Sequence, residues 1–322
     1  MLPARLKRLV VLDGFTLNPG DLSWASLQSL VDAEIHPRTA PADIVPRASG
    51  AHLVLTNKTR LDARILQSLP DLRYIGVLAT GYDVVDTAAA RNLGIVVSNV
   101  PAYGASSVAQ IVFAYILHWS NSVALHHSSV TAGHWTSCPD FSFWNHPLRE
   151  LEGKNLGIIG FGRIGRQVGR IGHAFRMKIS TVARAAAPAD YPVEHLPLDD
   201  LFSNSDFLCL LCPLTPDTRG LVNSERLRKM KPSSFLINTA RGPLVNEQDL
   251  ADALNQGVIA GAAIDVLSAE PPSAANPLLS AKNIVITPHL AWATVEARTR
   301  LMKAAVDNVR AFLDGRPANV VN

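Results

Sequence analysis

The chain has 322 residues, with 30 basic and 27 acidic side chains, a formal charge of +3, 48% apolar residues and 18% charged ones. That length asks for more than one small core, and the apolar share excludes a disordered chain. A slight positive excess with no Lys/Arg cluster excludes the footprint of a nucleic-acid binder and leaves a mild attraction for anions.

The first residues, Met1-Leu2-Pro3-Ala4-Arg5, run straight into a strand-like segment at 9–13. They lack the layout of a signal peptide, and no apolar stretch approaches the length of a bilayer crossing. The expectation is a cytoplasmic protein with no membrane partner. Short apolar runs at 9–12, 52–55, 74–78 and 95–97 follow, separated by helical periodicity at 62–69 and 85–92. An apolar helix candidate at 108–117 reads as buried between domains. After Gly153 a second series begins, with apolar runs at 156–159, 179–182, 207–211, 235–237, 262–266 and 284–286. Helices are expected near 165–175, 247–254 and 294–313. Strand and helix patterns in alternation mean parallel sheets with crossover helices, and two series mean two α/β domains. The final helix has no strand left to follow it in the second series, so it could pack back on the first; periodicity alone leaves that boundary open.

The run at 156–159 leads directly into Gly160-Phe161-Gly162-Arg163-Ile164-Gly165 and then a helical pattern. This is GxGxxG in the context its chemistry requires. The first glycine permits the tight turn, the second lets backbone approach a pyrophosphate, and the third lets helix and strand pack closely. The helix start then offers free N–H groups and partial positive charge to the phosphates. A dinucleotide cofactor follows. An acidic residue about twenty positions on would bind a ribose 2′-hydroxyl, but Arg184 stands there and no acid appears before Asp190. An arginine suits a 2′-phosphate, which favours NADP(H), with NAD(H) as the alternative.

Three residues lie just beyond later strands, where doubly wound folds place their ligand crevice: Arg241, Glu270 and His289. Reduction of a 2-keto acid asks for these types. A guanidinium grips the substrate carboxylate with two parallel hydrogen bonds, and an imidazole passes a proton to the substrate oxygen. A carboxylate beside the imidazole fixes its tautomer.

At this point the sequence resembles the D-2-hydroxyacid dehydrogenase family over nearly its whole length. The resemblance is carried by Leu78-Ala-Thr-Gly-Tyr-Asp-Val-Val-Asp86, Asn99-Val-Pro-Ala-Tyr-Gly104, the glycine loop, and Cys212-Pro-Leu-Thr-Pro-Asp-Thr218. It continues in Asn238-Thr-Ala-Arg-Gly-Pro-Leu-Val245, Ala263-Ile-Asp-Val-Leu-Ser-Ala-Glu-Pro-Pro272 and Thr287-Pro-His-Leu-Ala-Trp292. It implies a fold of two doubly wound parallel-sheet domains. A flavodoxin-like substrate domain of residues 1–103 and 290–322 would be interrupted by a Rossmann cofactor domain of 104–289 and close over it. It implies Arg241, Glu270 and His289 as the catalytic set, with His289 the proton donor in reduction. Cys212, Pro213, Thr218, Thr239, Ala240, Asp265, Ala291 and Trp292 would join Arg241 and His289 around the cofactor. Thr80, Gly81, Tyr82 and Tyr103 would border the substrate.

Within the family, Trp135 and Pro139-Asp-Phe-Ser-Phe-Trp144 point to the glycerate dehydrogenase or hydroxypyruvate/glyoxylate reductase branch. Departures are Gln110-Ile111-Val112, where many members have Glu-His-Thr, and a chain end soon after the last helix that leaves no room for an appended regulatory domain. Rival readings are another substrate branch, such as D-lactate or phosphite, and a nucleotide-sensing, corepressor-like scaffold.

The remaining candidates read as structural. Cys138, Cys209 and Cys212 make no disulfide framework, and the C-x-x-C pair lies in an apolar strand without a second pair. His118, His126, His127, His134 and His146 lack carboxylate or thiol partners at ligand spacing, so no metal is expected. The stretch containing Trp119, Trp135 and Trp144 reads as the interface of a homodimer formed through the cofactor domain, where aromatics concentrate. Trp144 could also reach a partner's active site.

Overall fold

Two parallel sheets organise the described residues, 8–182 and 189–322, of this computed structural model. They belong to two units. One is Met1–Gly104 together with Ala293–Asn322, and the other is the intervening Ala105–Trp292.

The first unit begins with β1 (Arg8–Val11), α1 (Ala25–Gln28), β2 (Asp32–Ile35), α2 (Ile44–Ala48) and β3 (Leu53–Thr56). It continues through α3 (Ala63–Gln67), β4 (Tyr74–Val77), α4 (Thr87–Asn92) and β5 (Val96–Ser98). Its five strands are all parallel, in the order β2-β1-β3-β4-β5. Every residue of β3 and β4 is buried, which is why both read as unbroken apolar runs: each face of a parallel sheet is covered. β2, with the sequence Asp-Ala-Glu-Ile at the sheet edge, stays half exposed and gave no such run. The helix expected from residue 85 starts instead at Thr87, because Asp86 accepts the Ala89 N–H and fixes the helix start there.

The second unit opens with α5 (Ala105–Asn121) and α6 (Val123–Thr131), then β6 (Asn155–Ile159), α7 (Arg163–Ala174), β7 (Lys178–Val182) and β8 (Glu194–Leu196). There follow α8 (Leu198–Asn204), β9 (Phe207–Leu210), α9 (Ser224–Lys229), β10 (Phe235–Asn238), α10 (Glu247–Asn255), β11 (Gly261–Ile264) and β12 (Ile284–Ile286). The seven parallel strands run β12-β11-β10-β9-β6-β7-β8, so the strand order reverses between β6 and β9. Successive side chains feed cores on opposite faces. Leu208, Leu210 and Leu236 enter one, and Phe207, Cys209, Phe235 and Ile237 the other. Truncating such a residue to alanine costs about 3–5 kcal/mol for a Phe. α5 buries Val112, Phe113, Tyr115 and Ile116 in the second of these cores, so its apolar run is explained by packing inside this unit.

α11 (Val295–Leu313), capped by Thr294, returns to the first unit. There the nearly buried Arg298 meets both carboxylate oxygens of Asp21 at 2.7 and 2.6 Å, and Asn308 donates to the Asn99 carbonyl at 2.9 Å. Among the described residues no single helix is long and apolar enough to cross a membrane.

Candidate active site

The three glycines of the loop at the end of β6 stand in three different environments. Gly160 has φ +104°, and a Cβ there would lie 2.4–2.6 Å from the Leu211–Cys212 backbone. A Cβ on Gly165 would lie 2.3 Å from the Gly160 carbonyl oxygen, so the first turn of α7 presses directly on the loop. Gly162 differs. A Cβ there would meet nothing within 4 Å, and its φ of −80° is open to any residue. Packing within the chain therefore does not demand glycine at 162. The free space suits a ligand that comes up to the backbone. No side chain caps α7, so its first N–H groups remain available to phosphates.

Other cofactor candidates lie past neighbouring strand ends. Thr239, just beyond β10, has a buried Oγ1 without a hydrogen-bond partner among the described residues, an orphan that a bound group would satisfy. Cys212 is buried, and that burial pushes its thiol up. Thr218 commits its hydroxyl to its own loop, donating to the Pro213 carbonyl at 2.8 Å and accepting the Thr215 N–H at 2.7 Å. Ala240 donates its N–H to Asn238 Oδ1 at 3.0 Å, and Asn238 Nδ2 binds the Arg241 carbonyl at 2.9 Å. The arrangement fits a dinucleotide. Arg184 lies outside the described residues.

The three catalytic candidates follow adjacent parallel strands, β10, β11 and β12, at their carboxyl ends. Arg241 is exposed, its Nη1 donates to the Ala240 carbonyl at 2.7 Å, and it has no ion pair among the described residues. The next residue, Gly242, packs so closely that a Cβ would sit 2.0 Å from Leu267 C. The Leu267 N–H in turn donates to Glu270 Oε1 at 3.0 Å. Glu270 Oε2 lies 2.6 Å from His289 Nδ1. One short backbone segment thus ties the arginine strand end to the Glu–His pair. His289 occupies the left-handed region, at φ +53°, and its N–H donates to the Asp265 carbonyl at 2.8 Å. Asp265 is 1% exposed, and its carboxylate takes the N–H groups of Leu290 and Ala291, each at 2.9 Å. Ala291 and Trp292 follow on the same turn.

Thr80, Gly81 and Tyr82 come immediately after β4 in the first unit. Asn99 Nδ2 donates to the Thr80 carbonyl at 2.7 Å, and Thr80 Oγ1 donates to the Val100 carbonyl at 3.0 Å. Tyr103, also in the first unit, is half-buried, and its carbonyl accepts from Arg300 Nε at 2.9 Å. Trp144 lies after α6 in the second unit, 67% exposed, and has no hydrogen bond or ring contact with Arg241, Glu270 or His289 among the described residues. Groups of His, Cys, Asp and Glu able to hold a metal are absent among the described residues. Sequence reasoning named Asn238 and Thr287 only as the first residues of motif segments, without a role, and passed over Tyr115; all three brace the site. The one signal for Tyr115 was a phenol within the apolar run 111–117.

Known proteins align with this architecture. The family model described as D-isomer specific 2-hydroxyacid dehydrogenase, NAD binding domain, matches residues 113–291. A hydroxypyruvate reductase of Blautia hydrogenotrophica is 47% identical over 98% of this chain and 99% of its own length. A glycerate dehydrogenase of Methylorubrum extorquens is 41% identical over 87% of this chain and 88% of its own. The crystal structure of an NADPH-dependent glyoxylate/hydroxypyruvate reductase from Sinorhizobium meliloti, in complex with NADP and malonate, superposes with a TM-score of 0.82 at 27% identity. It covers 98% of this chain and 97% of that one.

Proposed function

The chain belongs to the D-isomer specific 2-hydroxyacid dehydrogenase family and is a nicotinamide-dependent oxidoreductase; on that premise we propose that it reduces hydroxypyruvate or glyoxylate to the 2-hydroxy acid. The observation that carries this reading is the 2.6 Å contact between Glu270 Oε2 and His289 Nδ1. With Nδ1–H donated to the carboxylate, the proton to be transferred sits on Nε2, which makes no hydrogen bond among the described residues. A nicotinamide cofactor held at the Gly160–Gly165 loop would supply the hydride to the keto carbon. His289 delivers its proton to the keto oxygen, and Glu270 holds the ring in place throughout. Arg241, unpaired by any acid among the described residues, grips the substrate carboxylate through its planar fork. The substrate roles expected of Thr80, Gly81, Tyr82 and Tyr103 in the first unit, and of Trp144 in the second, are part of the same proposal.

NADP(H) is the preferred cofactor in this reading. Asp190, the first acid after β7, is committed to Arg170 at 2.9 and 3.0 Å, so it is not free for a ribose diol. Arg163 and Arg166, with no acidic partner among the described residues, line a cavity of about 280 Å³ beside it. The exposed aromatic stretch after α6, with Phe141 92% and Trp144 67% exposed, supports a homodimer formed through the second unit.

The test is a scan of NADPH and NADH oxidation by the purified protein against glyoxylate, hydroxypyruvate, pyruvate and phenylpyruvate. Turnover concentrated on the first two supports the proposal. Turnover of pyruvate alone moves the chain to another substrate branch, and none with any keto acid favours a nucleotide-sensing scaffold.

A further inference from the structure

The turn that carries His289 is wrapped around one buried carboxylate. Asp265 Oδ1 accepts from Thr287 Oγ1 at 2.6 Å and from the Leu290 N–H at 2.9 Å. Its Oδ2 accepts from the Ala291 N–H at 2.9 Å, and its backbone carbonyl takes the His289 N–H at 2.8 Å. No cation pairs with Asp265 among the described residues; its buried carboxylate is held by these donors and by a further side-chain hydrogen bond with Tyr115. The contacts of Asp265 also hold His289 at φ +53°, a left-handed region that non-glycine residues adopt uncommonly.

Behind Thr287 stands Tyr115 of α5, its phenol oxygen 2.5 Å from Thr287 Oγ1. Proton counting fixes the direction of the chain. Thr287 has a single hydroxyl proton and gives it to Asp265, so Tyr115 must donate to Thr287. Burial pushes the Tyr115 phenol up, which keeps that proton in place. The side chain belongs to the apolar core that also contains Ile116, Ile158, Ile237 and Ala263, a setting that phenylalanine suits equally well. The hydroxyl is therefore not explained by packing.

We propose that Tyr115 and Thr287 are positioning residues: the relay from Tyr115 through Thr287 to Asp265 fixes the carboxylate that grips the 287–291 turn and so aims His289 at the substrate. The inference rests on the reading of His289 as proton donor. It assigns to the interior of an apolar helix a part in catalysis that involves no contact with substrate.

The experiment compares Tyr115→Phe, Thr287→Val, Thr287→Ser and the Tyr115→Phe/Thr287→Val double variant in the NADPH-coupled reduction. Misaiming a catalytic group by about 1 Å costs up to about a hundredfold in rate, so kcat should fall on the order of ten- to a hundredfold in Tyr115→Phe and Thr287→Val. KM for the keto acid, set by Arg241, should stay within about twofold. Thr287→Ser keeps the hydroxyl and should recover most of the loss. The double variant should lose no more than the worse single one, because both act through one relay. A lowered melting temperature with kcat unchanged in Tyr115→Phe, or strictly additive losses in the double variant, overturns the proposal. If Thr287→Val does not fold, Tyr115→Phe and Thr287→Ser decide the matter. His289→Ala in the same assay separates the two readings. Brisk turnover there removes His289 as proton donor, whereas collapse there beside an unaffected Tyr115→Phe removes only the relay.

Discussion

Glu270 meets His289 at 2.6 Å with one carboxylate oxygen while the other accepts the Leu267 N–H at 3.0 Å. The imidazole is therefore held by a group that is itself pinned to backbone, which is how a side chain acquires a fixed tautomer and a fixed direction. Glu270→Gln preserves an acceptor for Nδ1–H but removes the charge that stabilises the protonated ring. We expect kcat to fall by about two orders of magnitude, the scale of a general-acid contribution, with NADPH affinity within about twofold. Stopped-flow rates and cofactor fluorescence titration check both halves. Undiminished kcat would remove Glu270 from the mechanism.

Arg241 has its guanidinium exposed and no ion pair among the described residues. A bidentate grip on a carboxylate needs the planar fork and not merely positive charge. Arg241→Lys should therefore raise KM for the keto acid at least about tenfold, and a 2-keto amide should discriminate little between the two enzymes. Equal steady-state constants for Arg and Lys would show that the charge acts only at a distance.

The apolar strands were legible because both faces of β3, β4, β9 and β10 are buried, leaving uninterrupted runs. β2 and β8 were not, since edge strands of sequence Asp-Ala-Glu-Ile and Glu-His-Leu stay largely exposed and carry no apolar signature. The site divides the same way. Residue type and placement after strands marked Arg241, Glu270 and His289. The brace behind them joins Tyr115 to Thr287 across 172 positions, and neither residue has a spacing that announces its partner. The left-handed backbone at His289 was equally silent, because histidine adopts that region more often than most residues yet sits far more often elsewhere, so its presence alone marks nothing.

Cofactor preference is tested where the carboxylate is missing. Arg184 stands 19 positions after Gly165, where a ribose-binding acid would sit, and the nearest following acid, Asp190, is paired with Arg170. Arg184→Asp should raise KM for NADPH by about tenfold or more and leave that for NADH unchanged or lowered, since a carboxylate repels a 2′-phosphate and accepts from a free 2′-hydroxyl. Parallel losses for both cofactors would discard the 2′-phosphate role.

Gly160 and Gly162 lie two residues apart in one loop, yet the structure gives them opposite reasons for being glycine, so alanine substitution should give opposite results. At 160 a Cβ meets backbone at 2.4 Å and φ is +104°, so Gly160→Ala must shift the chain between β6 and β9. A left-handed alanine combined with overpacking costs about 1–3 kcal/mol each, and thermal unfolding should register the sum. At 162 a Cβ meets nothing and φ is −80°, so Gly162→Ala should unfold at about the temperature of the unaltered enzyme, or slightly above it through reduced unfolded-state entropy. Its penalty should appear only when pyrophosphate approaches the backbone, as a rise of about tenfold or more in KM for NADPH and NADH alike. A Gly162→Ala enzyme with unaltered cofactor KM would mean that the space beside residue 162 is not where the dinucleotide lies. A destabilised one would mean that the loop needs glycine for its own sake.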